Sequence, residues 1–391
     1  MNLTHIQSAL RQRNLDGWLF TDHHARDPLA YRILGLPTSM TSRRWWYFVP
    51  AQGTPKGLAH KVEPRKLDTL PGDIDHYLAW TELHAKLKNI LSGSKRIAMQ
   101  YSPMNDIPYI GLIDAGTVEL IRSFGPEIAT SADLVQQFEA VAGQDGLESH
   151  TWAGVLVQDI KDEAFQMMSE ALREGHHLTE FQVKEHIVQR FTEEHLTCEG
   201  ESPIVGFNDH PADPHFEPVE KGAYELKRGD TILLDLWARR ADPPGLYYDI
   251  TWCAFAGDEP PAKYEEIFGV VRDARDKALA LVRERFAAGK PVRGAEVDDA
   301  CRAVVRDAGY ADQFLHRTGH SIGINVHGNG ANMDNLETKD DRVIVPGTCF
   351  SIEPGIYLAG SMAVRSEIDV LITNAGEVEV FGPMQRDLVL L

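Results

Sequence analysis

Apolar and polar positions alternate in two different grammars along this chain. From residue 1 to about 145 the apolar runs are short and mixed. "LDGWLFT", "RRWWYFVP" and "KRIAMQYS" read as strands, and "TELHAKLKNIL", ended by "SGS", and "TSADLVQQFEAV" read as amphipathic helices. Strands interleaved with helices predict a small α/β domain. The polar, glycine-containing stretch "AGQDGLES" (142–149) is the expected linker. After it the periods lengthen. "VQDIKDEAFQMMSEALREG" has helical spacing and stops at Gly175, and "LTEFQVKEHIVQRFTEEHL" opens on a capping box, Thr179 with Gln182. The strand-like runs "SPIVGF", "TILLDLWA" and "YYDITWCAF" follow. The same order then returns: helices ending at Gly289 and Gly309, followed by "GTCFSIEPGIYL" and "AVRSEIDVLIT". The expectation is an α+β fold for residues 150–391, two helix-helix-strand halves forming one curved sheet backed by helices, behind an N-terminal α/β domain over residues 1–145. No residue-level repeat links the halves, so the two-fold relation would be structural only.

Two strand runs carry an acid in an apolar setting. Asp235 stands among leucines and Asp249 follows two tyrosines. A buried unpaired carboxylate costs several kcal/mol. One resolution pairs each aspartate with Arg239, Arg240 or Arg365. Another is a shared cation. The two aspartates are separated by an even number of residues across the turn-rich "ARRADPPG", so a hairpin sets them on one face, where they repel unless protonated or bridged. Glu353 and Glu367 repeat the arrangement at the same separation. Between the pairs, "HRTGHSIGINVHGNG" places His316, His320 and His327 among glycines that permit a bend. Four carboxylates and one imidazole balance two divalent cations. Oxygen-rich ligands with one nitrogen suit Mn²⁺ or Co²⁺, with Zn²⁺ also accommodated. Two metals a few ångströms apart make a hydrolytic centre. "IVGFNDHPADPHFEP" adds His210 and His215 in a proline-rich loop, as groups to bind substrate or move a proton.

Composition narrows the classes. The chain has 391 residues, 43% of them hydrophobic and 25% charged, enough for a sizeable core. A net charge of −19 argues against unaided binding to nucleic acid or an anionic membrane. No apolar run approaches the roughly 20 residues that span a bilayer. The first twenty residues lack the layout of a signal peptide. Cys198, Cys253, Cys301 and Cys349 are far apart with no metal-finger spacing and read as reduced core thiols. The expected location is the cytoplasm.

The order Asp, Asp, "GHSIG", "SIEPGIY", "VRSE" resembles the pita-bread metallopeptidases: methionine aminopeptidase, aminopeptidase P and prolidase, with creatinase as a non-metal cousin. The resemblance covers about residues 150–391. The small N-terminal domain is similar to that of prolidase, aminopeptidase P and creatinase. By this resemblance Asp235 chelates one metal, Asp249 bridges both, His320 and Glu353 bind the other, and Glu367 is the second bridge. Glu353 also shuttles protons. His215 and His327 bind substrate and stabilise the tetrahedral intermediate. Arg365 binds a substrate carboxylate or braces a ligand. Some features depart from the family: a longer Asp235–Asp249 interval, Leu236-Trp237 where a glycine is usual, Tyr247 and Tyr248 in place of an earlier tyrosine, and a longer segment before His215. Arg43, Arg44, Trp45 and Trp46 either pack into their own domain or meet substrate. The implied activity is cleavage before proline in Xaa-Pro dipeptides, with two divalent ions, Mn²⁺ ahead of Co²⁺ and Zn²⁺, in a homodimer. The alternatives are an aminopeptidase P acting on longer peptides, a small-amide hydrolase, and a catalytically silent binding module.

Overall fold

The computed structural model describes residues 1–38 and 41–391, and the chain divides into two compact units, Met1–Glu139 and Ala140–Leu391. In the first, six strands form one mixed sheet, in the order Asp73–Tyr77, Lys56–His60, Trp45–Pro50, Gly17–Asp22, Arg96–Met99, Glu127–Thr130. Its apolar runs are continuous because the sheet is covered on both faces. Trp18, Phe20, Trp45 and Tyr47 point into one core, and Leu19, Trp46 and Phe48 into the other. Helices Leu3–Gln12 and Pro28–Leu34 close the first face, and Trp80–Ile90 and Ala115–Ser123 close the second. Trp45 and Trp46 are therefore packing residues of their own unit. Arg43 and Arg44 stay exposed and line a cleft of about 840 Å³ with Asp22, His23 and His60.

The second unit begins with a correction. The stretch 142–149, expected as linker, is helical from Gln144: one helix runs Gln144–Glu174 and ends at Gly175 in the left-handed conformation (φ 71°). Tertiary contacts stabilise its early turns, with Ser149 and His150 buried and bonded to the backbone around Leu246 and Tyr247. Helix Glu180–Glu193 follows with the Thr179/Gln182 capping box formed. Helices Ala262–Ala287 and Gly294–Asp307 occupy the corresponding place in the second half. Each helix pair covers its own core.

The strands do not form the single sheet expected. Thr231–Arg240 and Tyr248–Phe255 pair antiparallel, flanked by Ile204–Phe207, Leu196–Thr197 and Val389–Leu390. Ser321–Ile322, Cys349–Ile352, Ile368–Ile372 and Val378–Val380 make a second sheet, and Gly355–Leu358 with Met362–Arg365 a separate ribbon. The second sheet and the ribbon share one register, Ile352 opposite Ile368 and Gly355 opposite Arg365, yet the ladder breaks between them. Pro354 has no N–H to donate. The N–H groups of Glu353 and Glu367 turn away, to Thr318 O (2.7 Å) and Thr251 O (3.2 Å). That break frees two glutamates to face the first sheet. Among the described residues, no helix is long and apolar enough to cross a membrane.

Candidate metal centre

The hairpin register sets Asp235 opposite Thr251 and Asp249 opposite Trp237, so the two aspartates are diagonal neighbours on one face. The register of the broken ladder places Glu353 opposite Glu367. Thr251 joins the two pairs: its hydroxyl donates to Glu367 Oε2 at 2.8 Å and accepts from Arg365 Nε at 3.0 Å. His320 enters from the loop before Ser321–Ile322. Its Nδ1 lies 3.2 Å from Ser321 O, which orients Nε2 toward the acids, 3.3 Å from Glu353 Oε1 and 3.7 Å from Asp249 Oδ2. The five residues named from the sequence as ligands thus converge. Asp235, Asp249, His320 and Glu367 are buried, and Glu353 keeps 14% of its side chain exposed.

The His320 loop is tied at both flanks. Thr318 N–H and Oγ1 donate to Asp298 Oδ1 (3.0 and 2.6 Å), while Asp298 Oδ2 accepts from Arg302 and from Asn335 N–H. His320 N–H donates to Ser351 Oγ at 3.0 Å, and Ser351 Oγ donates to Glu353 Oε1 at 3.1 Å. Gly319 is obligatory at this crossing. A Cβ there would lie 2.0 Å from Ser351 O. Gly319→Ala is expected to displace His320 and lower metal stoichiometry, as read by mass spectrometry of the folded variant. Full stoichiometry with unchanged thermal stability would contradict this.

Burial and like charge set the electrostatics of the cluster. Burial first, then the neighbouring carboxylates, pushes Asp249 and Glu367 well above the usual carboxylate range. Burial raises Glu353 to about 7. Burial, then His327 and Arg317, pulls His320 well below its ordinary value, leaving a neutral imidazole with a lone pair to offer. Asp235 Oδ1, Asp249 Oδ1 and Glu367 Oε1 are buried with no hydrogen-bond partner among the described residues. Buried polar atoms are nearly always satisfied, so three orphans in one cluster mark a place for a ligand. Asp249, His320 and Glu367 offer atoms within 4.8 Å of one another. This oxygen-rich donor set with one nitrogen fits divalent cations.

Arg365 is buried and committed to its neighbours. It pairs with Asp235 through Nη2 and donates to Thr251 and, at 2.9 Å, to Tyr357 Oη. Of the two uses considered for it, this geometry is bracing, and it also realises the arginine pairing considered for Asp235. Tyr357 Oη is in turn 2.7 Å from His316 Nε2, so His316 belongs to the brace. His327 lies beside His320, ring centroids 4.5 Å apart, and desolvation of its ring, then Arg317 and His215, draws its pKa down to about 4. His215 is exposed on its loop, with its N–H bonded to Asp213 Oδ1. That loop is fastened from below by Glu180, whose carboxylate accepts from Phe207 N–H, Tyr224 N–H and His210 Nδ1. Thr251, Tyr357, Ser351, Asp298 and Glu180 escaped the sequence reading. Thr251 and Ser351 had a signal there, each lying two residues from an acid, Asp249 and Glu353, and so on the same face of the strand read from the sequence.

The chain is 35% identical over 191 residues, 48% of its length and 47% of the relative, to the probable dipeptidase PepE of Mycobacterium tuberculosis. It therefore spans about half the length of the curated relatives it matches first. A dipeptidase structure from Pyrococcus horikoshii OT3 superposes with a TM-score of 0.64 at 25% identity, covering 100% of both chains. A prolidase from Thermococcus sibiricus shares the fold (TM-score 0.63, 20% identity, 100% of this chain and 98% of the other). The pattern of metallopeptidase family M24 matches residues 156–374, the stretch that holds the acid pairs and His320. With that match over more than half of its length, the chain belongs to metallopeptidase family M24 and carries the pita-bread fold.

Proposed function

We propose that the protein is a dinuclear metallopeptidase that hydrolyses the bond before proline in Xaa-Pro dipeptides. The observation that carries this reading is the cluster of Asp235, Asp249, His320, Glu353 and Glu367 with three orphaned buried oxygens. When bound there, two divalent cations would acidify a water and polarise the scissile carbonyl. The rest is the work of the chain's own groups. Glu353, the ligand with residual solvent access, takes the water's proton and delivers it to the leaving nitrogen. His327 and His215, at the rim, donate hydrogen bonds to the carbonyl oxygen as it gains charge. Arg365 holds Asp235 in place. Mn²⁺ is the proposed ion, with Co²⁺ or Zn²⁺ as substitutes, and a two-fold homodimer in the cytoplasm the proposed assembly. The dipeptidase names of a curated relative and of a structural neighbour favour short substrates. The second reading, an Xaa-Pro aminopeptidase, keeps the same chemistry on longer peptides.

The test is hydrolysis by chelator-treated protein after return of Mn²⁺, Co²⁺ or Zn²⁺. An Xaa-Pro dipeptide, an Xaa-Pro-Xaa tripeptide and a dipeptide without proline are compared. Cleavage confined to the first is the expected result. Tripeptide cleavage selects the aminopeptidase. Two bound ions with no cleavage of any peptide would overturn peptide hydrolysis.

A further inference from the structure

Behind the carboxylate cluster lies a second group of donors that the proposed chemistry does not use. His150 on helix Gln144–Glu174, Cys349 on strand Cys349–Ile352 and Asp369 on strand Ile368–Ile372 bring one ligand atom each within 4.8 Å of one another. Each residue is about 1% exposed. The hydrogen bonds determine what each offers. His150 Nδ1 is 2.6 Å from the Tyr247 carbonyl, which can only accept, so the ring proton is on Nδ1. Nε2 is then a bare lone pair, and it faces Asp369 Oδ2 at 3.9 Å, beyond hydrogen-bond reach. Asp369 Oδ2 accepts from Asp249 N–H at 2.8 Å, while Asp369 Oδ1 and His150 Nε2 have no partner among the described residues. Two acceptors facing each other in the protein interior are unfavourable by the full desolvation cost of each group. A cation between them removes that cost.

We propose that His150, Cys349 and Asp369 form a separate site for one borderline-soft divalent cation, of the Zn²⁺ class. The nitrogen, sulfur and oxygen donors select this class over Mn²⁺ or Mg²⁺, which prefer oxygen alone. Binding releases one proton, that of the Cys349 thiol, and the resulting thiolate and the Asp369 carboxylate neutralise the ion's two positive charges. The site shares no residue with the group of Asp249, His320 and Glu367. Its role is positioning. His150 holds Tyr247 O and Asp369 holds Asp249 N–H, so an ion joining them ties the first helix of the unit to the backbone that presents Asp249.

Chelator-treated full-length protein reloaded with Co²⁺ tests this. A thiolate-to-cobalt charge-transfer absorption is expected, because none of the five ligands proposed for the carboxylate cluster carries sulfur. It should vanish in Cys349→Ser, a near-isosteric change, with the loss of one ion per chain in Co²⁺ or Zn²⁺ and no change in Mn²⁺. The spectrum of the unaltered protein is informative even if the variant folds poorly. Absence of the absorption from Co²⁺-loaded unaltered protein would overturn the site, as would equal ion counts in that protein and folded Cys349→Ser. The inference stands apart from the proposed peptidase activity: one thiolate-bound ion in a protein that cleaves no peptide would sink that activity and leave this site.

Discussion

Glu353→Gln is expected to lower peptide hydrolysis by about 10²–10⁴-fold, the range for removing a positioned general acid–base group. The substitution keeps the shape of the side chain and an oxygen that can still accept from Ser351 Oγ. It removes the ability to carry a proton. Glu353 is the group suited to the shuttle because its neighbours divide the other tasks. Asp235 is held by Arg365, Glu367 by Thr251, and Asp249 is enclosed. The measurement is kcat on an Xaa-Pro dipeptide beside metal content by mass spectrometry, so that a lost ion is told apart from a lost proton carrier. An unchanged kcat with both ions present would remove Glu353 from the chemistry.

Arg365→Met should cost about 3–5 kcal/mol in the metal-free protein, the usual consequence of leaving one member of a buried ion pair uncompensated. Arg365 is buried, and its guanidinium contacts Asp235, Thr251 and Tyr357 at once. Removing it leaves Asp235 beside Asp249 and Glu367 with no positive charge to offset them. The double variant Arg365→Met with Asp235→Asn should recover most of the loss, because the uncompensated charge goes as well. Urea unfolding of the two variants and of each single change closes the cycle. A single-variant loss below about 1 kcal/mol, the scale of an exposed pair, would show that the brace contributes little.

The candidate site was legible in the sequence where chemistry follows from residue type and strand parity. Asp235 and Asp249, and Glu353 and Glu367, could be placed on shared faces because side chains in a strand alternate with period two. The bend that turns His320 inward could be anticipated from Gly319 and Gly323. The break in the ladder could not. It depends on Thr318 and Thr251, far away in the chain, offering carbonyls to the Glu353 and Glu367 N–H groups. The start of the first long helix was misread for a related reason: its opening turns are polar and glycine-containing, and what stabilises them is contact with the backbone around Leu246 and Tyr247.

What the sequence alone determined was a composition that supports a sizeable core, two domain grammars, the helix ends at Gly175 and Thr179, and a surplus of acids in apolar strands. These follow from local sterics and from the cost of burying charge, both properties of short stretches of chain. What only the tertiary structure decided was which groups answer which. Arg365 turned to Asp235, Tyr357 joined Arg365 to His316, and His150 met Asp369 and Cys349. Those partners are separated by up to hundreds of residues in sequence, and their meeting is governed by the packing of whole sheets and helices, where hydrophobic burial is non-directional and carries no local signature.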